Sequence, residues 1–134
     1  MKIDGACHCG DIRYEAEVDP ETVAICHCTD CQTLSGSAFR TVVPAKRGDF
    51  RLLAGQPKAY LKTAESGNKR VQVFCPQCGT PIYSAAPGDS PEYYLRVGTI
   101  RQRAELPPRT QRWSRSAQGW LTSLGTMKRF EKSA

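Results

Sequence analysis

The chain has 134 residues, 40% of them hydrophobic, with a mean hydropathy of −0.48. That suffices for one domain with a modest core, and no apolar run approaches the ~20 residues a membrane-spanning helix needs. The formal charge of +6 lies wholly in the last quarter: residues 101–134 carry eight basic and two acidic side chains, whereas residues 1–100 are neutral. Such a segment attracts a polyanion or a small acidic substrate. It holds no recognisable nucleic-acid module, so nucleic acid is not the expected partner.

Along the chain, Cys7-His8-Cys9 with Gly10 forms a tight turn ahead of the first clear strand. Residues 11–18 alternate with period two and end at Asp19-Pro20. Cys26-His27-Cys28-Thr29-Asp30-Cys31 comes next, with a turn or two of helix expected after Asp30, through Leu34. Residues 39–43 are β-branched and stop at Pro44, and residues 50–53 precede Gly55. Residues 59–63 and 69–74 flank a polar turn at Ser66-Gly67-Asn68. Cys75-Pro76-Gln77-Cys78-Gly79 follows directly, and residues 82–84 and 93–97 complete the series. Short strands at this spacing predict an all-β domain. Beyond residue 100 there is no clear period, and Pro107-Pro108 interrupts the segment. Residues 101–134 are expected to form an irregular basic tail, anchored in the core by Trp113 and Trp120. Neither end reads as separate, so one zinc-binding β domain is expected over 1–134.

Seven cysteines in three clusters are the strongest chemical signal. The count is odd and residues 1–5 contain no apolar signal-peptide core, which points to the reducing cytoplasm and to metal over disulfides. Thiols one or two residues apart converge readily on one tetrahedral zinc ion. Cys7, Cys9, Cys75 and Cys78 each sit in a turn at a strand end, and together they make a four-cysteine structural site that staples the N-terminal hairpin to the second half of the chain. Structural zinc contributes on the order of 10 kcal/mol to folding.

Cys26, Cys28 and Cys31 remain, and three protein ligands with an open fourth position mark a catalytic zinc. A fourth ligand such as Asp30 or His27 would instead close the site. His27 lies between two ligands, where alternation points it away, and His8 is placed alike. Zinc with three thiolates carries net charge −1, so it is a poor activator of water and a better holder of a substrate thiol. Gln32, Ser35, Ser37 and Arg40 are the polar candidates for substrate contact nearby. Arg96 and Arg101 are candidates to receive carboxylates.

The order C-x-C, C-x-C-x-x-C-x-x-x-x-G, C-x-x-C-G resembles the glutathione-dependent formaldehyde-activating enzyme family, which includes centromere protein V. All seven cysteines match over roughly residues 5–98. The resemblance implies a β-tent fold of small antiparallel sheets stapled by zinc, as in methionine sulfoxide reductase B. It implies two zinc ions per chain, structural on Cys7, Cys9, Cys75 and Cys78 and catalytic on Cys26, Cys28 and Cys31. It also implies a carbon–sulfur lyase that joins glutathione to formaldehyde as S-hydroxymethylglutathione. The alternative is a non-catalytic two-zinc interaction module whose tail, through Arg109, Arg112 and Arg115, binds an acidic partner.

Overall fold

The computed structural model of the protein describes residues 1–133. In chain order the strands are β1 (Lys2–Ala6), β2 (Arg13–Glu17), β3 (Ala24–Cys26), β4 (Arg40–Lys46), β5 (Phe50–Ala54), β6 (Lys58–Thr63), β7 (Lys69–Phe74), β8 (Pro81–Ala85), β9 (Glu92–Arg96) and β10 (Thr110–Arg112). The helix α1 (Thr29–Ser35) lies between β3 and β4, and short 3-10 turns fill several connections. The expected all-β class is the one found.

Two sheets form. A three-stranded sheet runs β1-β2-β5, and a seven-stranded sheet runs β10-β3-β4-β9-β8-β7-β6. Every pairing is antiparallel except β10 on β3, which is parallel. Alternation decides what each strand buries. In β2, Tyr14 and Ala16 face inward while Arg13 and Glu17 are exposed. The core joins Ile3, Tyr14 and Ala16 of the smaller sheet to Val43, Ala45, Ile82 and Leu95 of the larger one. Phe50 bridges them, stacked on Tyr14 at 5.3 Å and edge-on to Tyr83 and Tyr93.

The other face of the larger sheet is polar at its centre. Pairing Val42 with Arg96, Ser84 with Tyr94 and Gln72 with Ser84 puts Arg40, Arg96 and Gln72 on that face. Leu34 of α1 lines a cavity there with Arg40, Gln72 and Arg96, so this face is covered without being apolar.

Three sequence expectations are corrected. Pro44 does not end its strand: β4 continues to Lys46, and Pro44 pairs with Tyr94. The β3 pairing stops at Val42, so β4 has one neighbour there, the situation in which a strand tolerates proline. The tail is not irregular throughout, because Thr110–Arg112 adds β10 to the sheet edge. Trp113 and Trp120 are not core anchors; they are 48% and 47% exposed. Trp113 directly follows the edge strand β10, and Trp120 lies in the 3-10 segment Gly119–Thr126 beside Gln32 and Thr33 of α1. No helix among the described residues is long and apolar enough to cross a membrane.

Candidate metal centres and the adjoining cavity

The first cluster joins two turns. Cys7 and Cys9 lie between β1 and β2, and Cys75 and Cys78 lie between β7 and β8. Both turns close on a glycine with positive φ, Gly10 at 81° and Gly79 at 77°, where a side chain would be strained. Their four Sγ atoms all lie within 4.8 Å of one another. The Cys7–Cys9 and Cys9–Cys75 sulfur separations are 3.6 and 3.8 Å. A tetrahedron built on Zn–S bonds of ~2.3 Å has edges of about 3.8 Å, so the donor set fits zinc. Backbone groups support the sulfurs: Ile12 N–H donates to Cys7 Sγ at 3.2 Å. The Thr80 hydroxyl lies 3.1 Å from Cys78 Sγ and holds that thiol down at about 5.

The second cluster is local. Cys26 ends β3, Cys28 caps the N-terminus of α1, and Cys31 sits in its first turn. The Cys31 N–H donates to Cys28 Sγ at 3.3 Å, which fixes the cap. All three Sγ atoms lie within 4.8 Å of one another, and no fourth Cys, His, Asp or Glu among the described residues joins them. The thiols share their protons unequally. The hydrogen bond from Cys31 brings Cys26 down to about 5, and the same contact, with burial, pushes Cys31 up.

Neither alternative fourth ligand approaches this cluster. Asp30 Oδ2 accepts from Lys62 Nζ at 2.9 Å. His27 points the other way and is buried, donating through Nε2 to Gln111 Oε1 at 2.7 Å, with Nδ1 unpartnered. His8 is exposed in its turn. Alternation along Cys26-His27-Cys28 gave the correct side for His27.

Of the expected substrate contacts, Gln32 is held by the tail. Its Nε2 donates to His27 O at 2.8 Å and Ser116 O at 3.0 Å, and its Oε1 accepts from Gln118 at 2.8 Å. Ser35 Oγ donates to backbone carbonyls of Gln32 and Phe39. Ser37 is exposed beyond the helix. Arg40 is buried and donates to Gln72 Oε1 at 3.0 Å, and Arg96 donates to the same oxygen at 2.7 Å. Burial, then the positive charge of Arg40, pushes the Arg96 guanidinium down to about 9. Arg101 lies elsewhere, paired with Asp4.

A cavity of ≈ 710 Å³ opens at Cys28, lined also by Asp30, Lys62, Trp113 and Ser116. Its tail wall was not legible in the sequence. Residues 110–112 dock on β3, and the next residue, Trp113, adopts left-handed backbone with φ +54°. The Arg115 guanidinium lies over the Trp113 ring at 5.0 Å. Such conformations cost about 1–3 kcal/mol in non-glycine residues and concentrate at functional sites.

The glutathione-dependent formaldehyde-activating enzyme family matches residues 2–116, a span that takes in both cysteine clusters and the tail wall. The chain belongs to this family. A crystal-structure likeness bears on the fold: a Rhodobacter sphaeroides protein solved as a structural-genomics target aligns with a TM-score of 0.62 at 20% identity, over 81% of this chain and 98% of that one. No curated protein matches. The match to residue 116 extends past the motif-bearing core of 5–98, and it includes Trp113 and Ser116 at the cavity.

Proposed function

We propose that this family member is a zinc-dependent carbon–sulfur lyase that joins glutathione, or a similar thiol, to formaldehyde. One observation carries the proposal: three thiols converge with no fourth Cys, His, Asp or Glu among the described residues, beside a cavity that Cys28 lines. Cys7, Cys9, Cys75 and Cys78 would hold a structural zinc, and Cys26, Cys28 and Cys31 a catalytic one, two per chain. Zinc at the second site supplies the positive charge that keeps a substrate thiol ionised at neutral pH.

The chain's own residues do the rest. Cys26, Cys28 and Cys31 would hold the ion, and the cavity that Cys28 lines would admit the substrate thiol. Trp113 and Ser116 wall that space, and Lys62, tied to Asp30, places a cation at its rim. The sulfur attacks the carbonyl carbon, a C–S bond forms as the C=O π bond opens, and the proton lost by the thiol returns to the new oxygen. Gln32, Ser35, Ser37 and Arg40 are the proposed substrate contacts, and Arg40 has the best support because it is a buried charge that lines a cavity. The same reading places a single-domain protein in the cytoplasm, with a thiol as partner and without membrane or nucleic acid.

The test uses protein purified with its metal retained. Formation of S-hydroxymethylglutathione is followed by NMR against the uncatalysed reaction. The expected result is a rate proportional to protein and lost in Cys28→Ser with the fold kept. No acceleration, or a Cys28→Ser variant that unfolds as Cys75→Ser does, sinks the proposal and makes both sites structural.

A further inference from the structure

Two buried arginines meet on one neutral oxygen beside the three-cysteine cluster. Arg40 and Arg96 are 6% and 7% exposed, and Gln72 Oε1 accepts from both. Arg96 Nε is buried without a partner. Among the described residues no carboxylate pairs with either guanidinium. A buried charge without a counter-charge is costly, so a fold that keeps two of them holds a negative group nearby.

Strand register shows which group it is. Cys26 stands directly opposite Arg40 in the β3–β4 pairing, so thiol and guanidinium project from one face. Arg96 pairs with Val42, two residues along β4 from Arg40, which makes Arg96 the diagonal neighbour of Arg40 on that face. Burial first, then the charge of Arg40, disfavours the Arg96 cation, and Cys31 and Cys26 are neighbours that favour it. The other cations nearby are provided for. Lys62 is paired with Asp30, Arg70 lies half-buried over the Tyr94 ring, and Arg112 is exposed.

A divalent ion held by three thiolates carries −1, and the two guanidiniums carry +2. The buried array is therefore left at +1 when the fourth ligand is neutral. It reaches zero when that ligand brings one negative charge, as a thiol does when it binds as thiolate and releases its proton to water. Charges interact strongly where water is excluded, so this difference discriminates between ligands.

We infer that Arg40 and Arg96, bridged by Gln72, are the buried counter-charges of the three-cysteine centre and select an anionic fourth ligand there. The inference rests on the proposal that ion and substrate thiol meet at Cys26, Cys28 and Cys31. It adds which residues set the charge that the centre prefers. Arg40, Arg96 and Gln72 are positioning residues in this role, acting through the ligands of the ion. They ask nothing of the rest of the thiol, which can be uncharged.

The test is calorimetric titration of the metal-loaded full chain, at one pH, with 2-mercaptoethanol and with neutral imidazole. The decisive variant is Gln72→Glu. It puts a carboxylate of the same shape between the two guanidiniums and so supplies within the fold the charge that the ligand would bring. The expected result is that 2-mercaptoethanol affinity falls at least about tenfold in Gln72→Glu, while imidazole binds no more weakly than to wild type. Arg96→Gln lowers thiol affinity in the same way, and Arg96→Lys, which keeps the charge, retains most of it. Unchanged 2-mercaptoethanol affinity in Gln72→Glu, or a parallel fall for imidazole, overturns the inference. If the wild type binds no thiol, the thiol proposal has failed, and azide, an anion without sulfur, decides the counter-charge alone. Azide binding that Gln72→Glu abolishes supports it; azide that binds both proteins equally, or neither, overturns it. Gln72→Glu gives two buried cations a partner, so it keeps the fold, and a misfolded Arg96→Gln leaves the outcome readable.

Discussion

Cys26 and Arg40 stand opposite each other across β3 and β4, so a candidate metal ligand and a buried guanidinium share one face of the sheet. Such neighbours have Cβ atoms about 5 Å apart. The pairing couples the thiol cluster to the arginine cavity without any intervening loop.

The two clusters should respond differently to removal of one sulfur. Cys75 is fully buried and joins turns far apart in the chain, so Cys75→Ser should abolish cooperative folding, consistent with a contribution on the order of 10 kcal/mol. Cys28→Ser leaves that staple intact and should unfold only slightly below wild type. Thermal melts with bound zinc counted in each variant will show it: one ion retained in folded Cys28→Ser, and loss of the fold in Cys75→Ser.

Asp4 ties β1 to the segment after β9. Arg101 donates to it through Nε and Nη2, and Gln102 Nε2 adds a bond at 2.8 Å. These hydrogen bonds, that of Arg101 first, hold the Asp4 carboxyl below its usual value. A depressed folded-state pKa stabilises above the unfolded value of ~3.9 and is lost as pH falls through the folded one. Asp4→Asn should therefore lower Tm at pH 7 and converge with wild type in acid below that window. Melts across pH 2–7 measure the convergence, and a gap independent of pH would contradict it.

Gly5 pairs with Tyr14, whose ring lies where a Cβ on residue 5 would stand. Tyr14 is fully buried and bonded to Thr99 through its hydroxyl at 2.7 Å, so the ring has no room to retreat. Gly5→Ala should destabilise by about 1–3 kcal/mol through overpacking. Pairing it with Tyr14→Phe, which removes the overlapping oxygen, should recover part of that loss in chemical denaturation.

Gln32 makes three side-chain hydrogen bonds, two of them to the tail at Ser116 and Gln118 and one to His27 O. Each is worth about 1 kcal/mol, so Gln32→Ala should cost about 1–3 kcal/mol. Hydrogen exchange should rise at residues 113–118 and leave β7 and β8 unchanged. Uniform exchange throughout would mean that the tail is held by something else.

Residues 11–18 were legible because they carry a period of two, and residues 69–74 because they adjoin the polar turn at Ser66-Gly67-Asn68. Strand β1 was not, since Asp4 and Gly5 interrupt its pattern and its stability comes from Tyr14 and Arg101. Strands β3 and β10 have three residues each and no period to detect. Gln72 gave no signal either, for a glutamine in a strand reads as surface until two arginines are seen to meet on it.

By itself the sequence determined the Cys26-Cys28-Cys31 cluster, the two cysteine pairs of the other site and the side to which His27 points. Those follow from spacings of one to three residues, over which backbone geometry alone dictates where a side chain goes. Tertiary structure decided that Arg40, Gln72 and Arg96 converge, and that residues 110–116 wall the Cys28 cavity. Strand register sets those meetings, and register is chosen by burying the apolar face of every strand at once, which no local segment encodes.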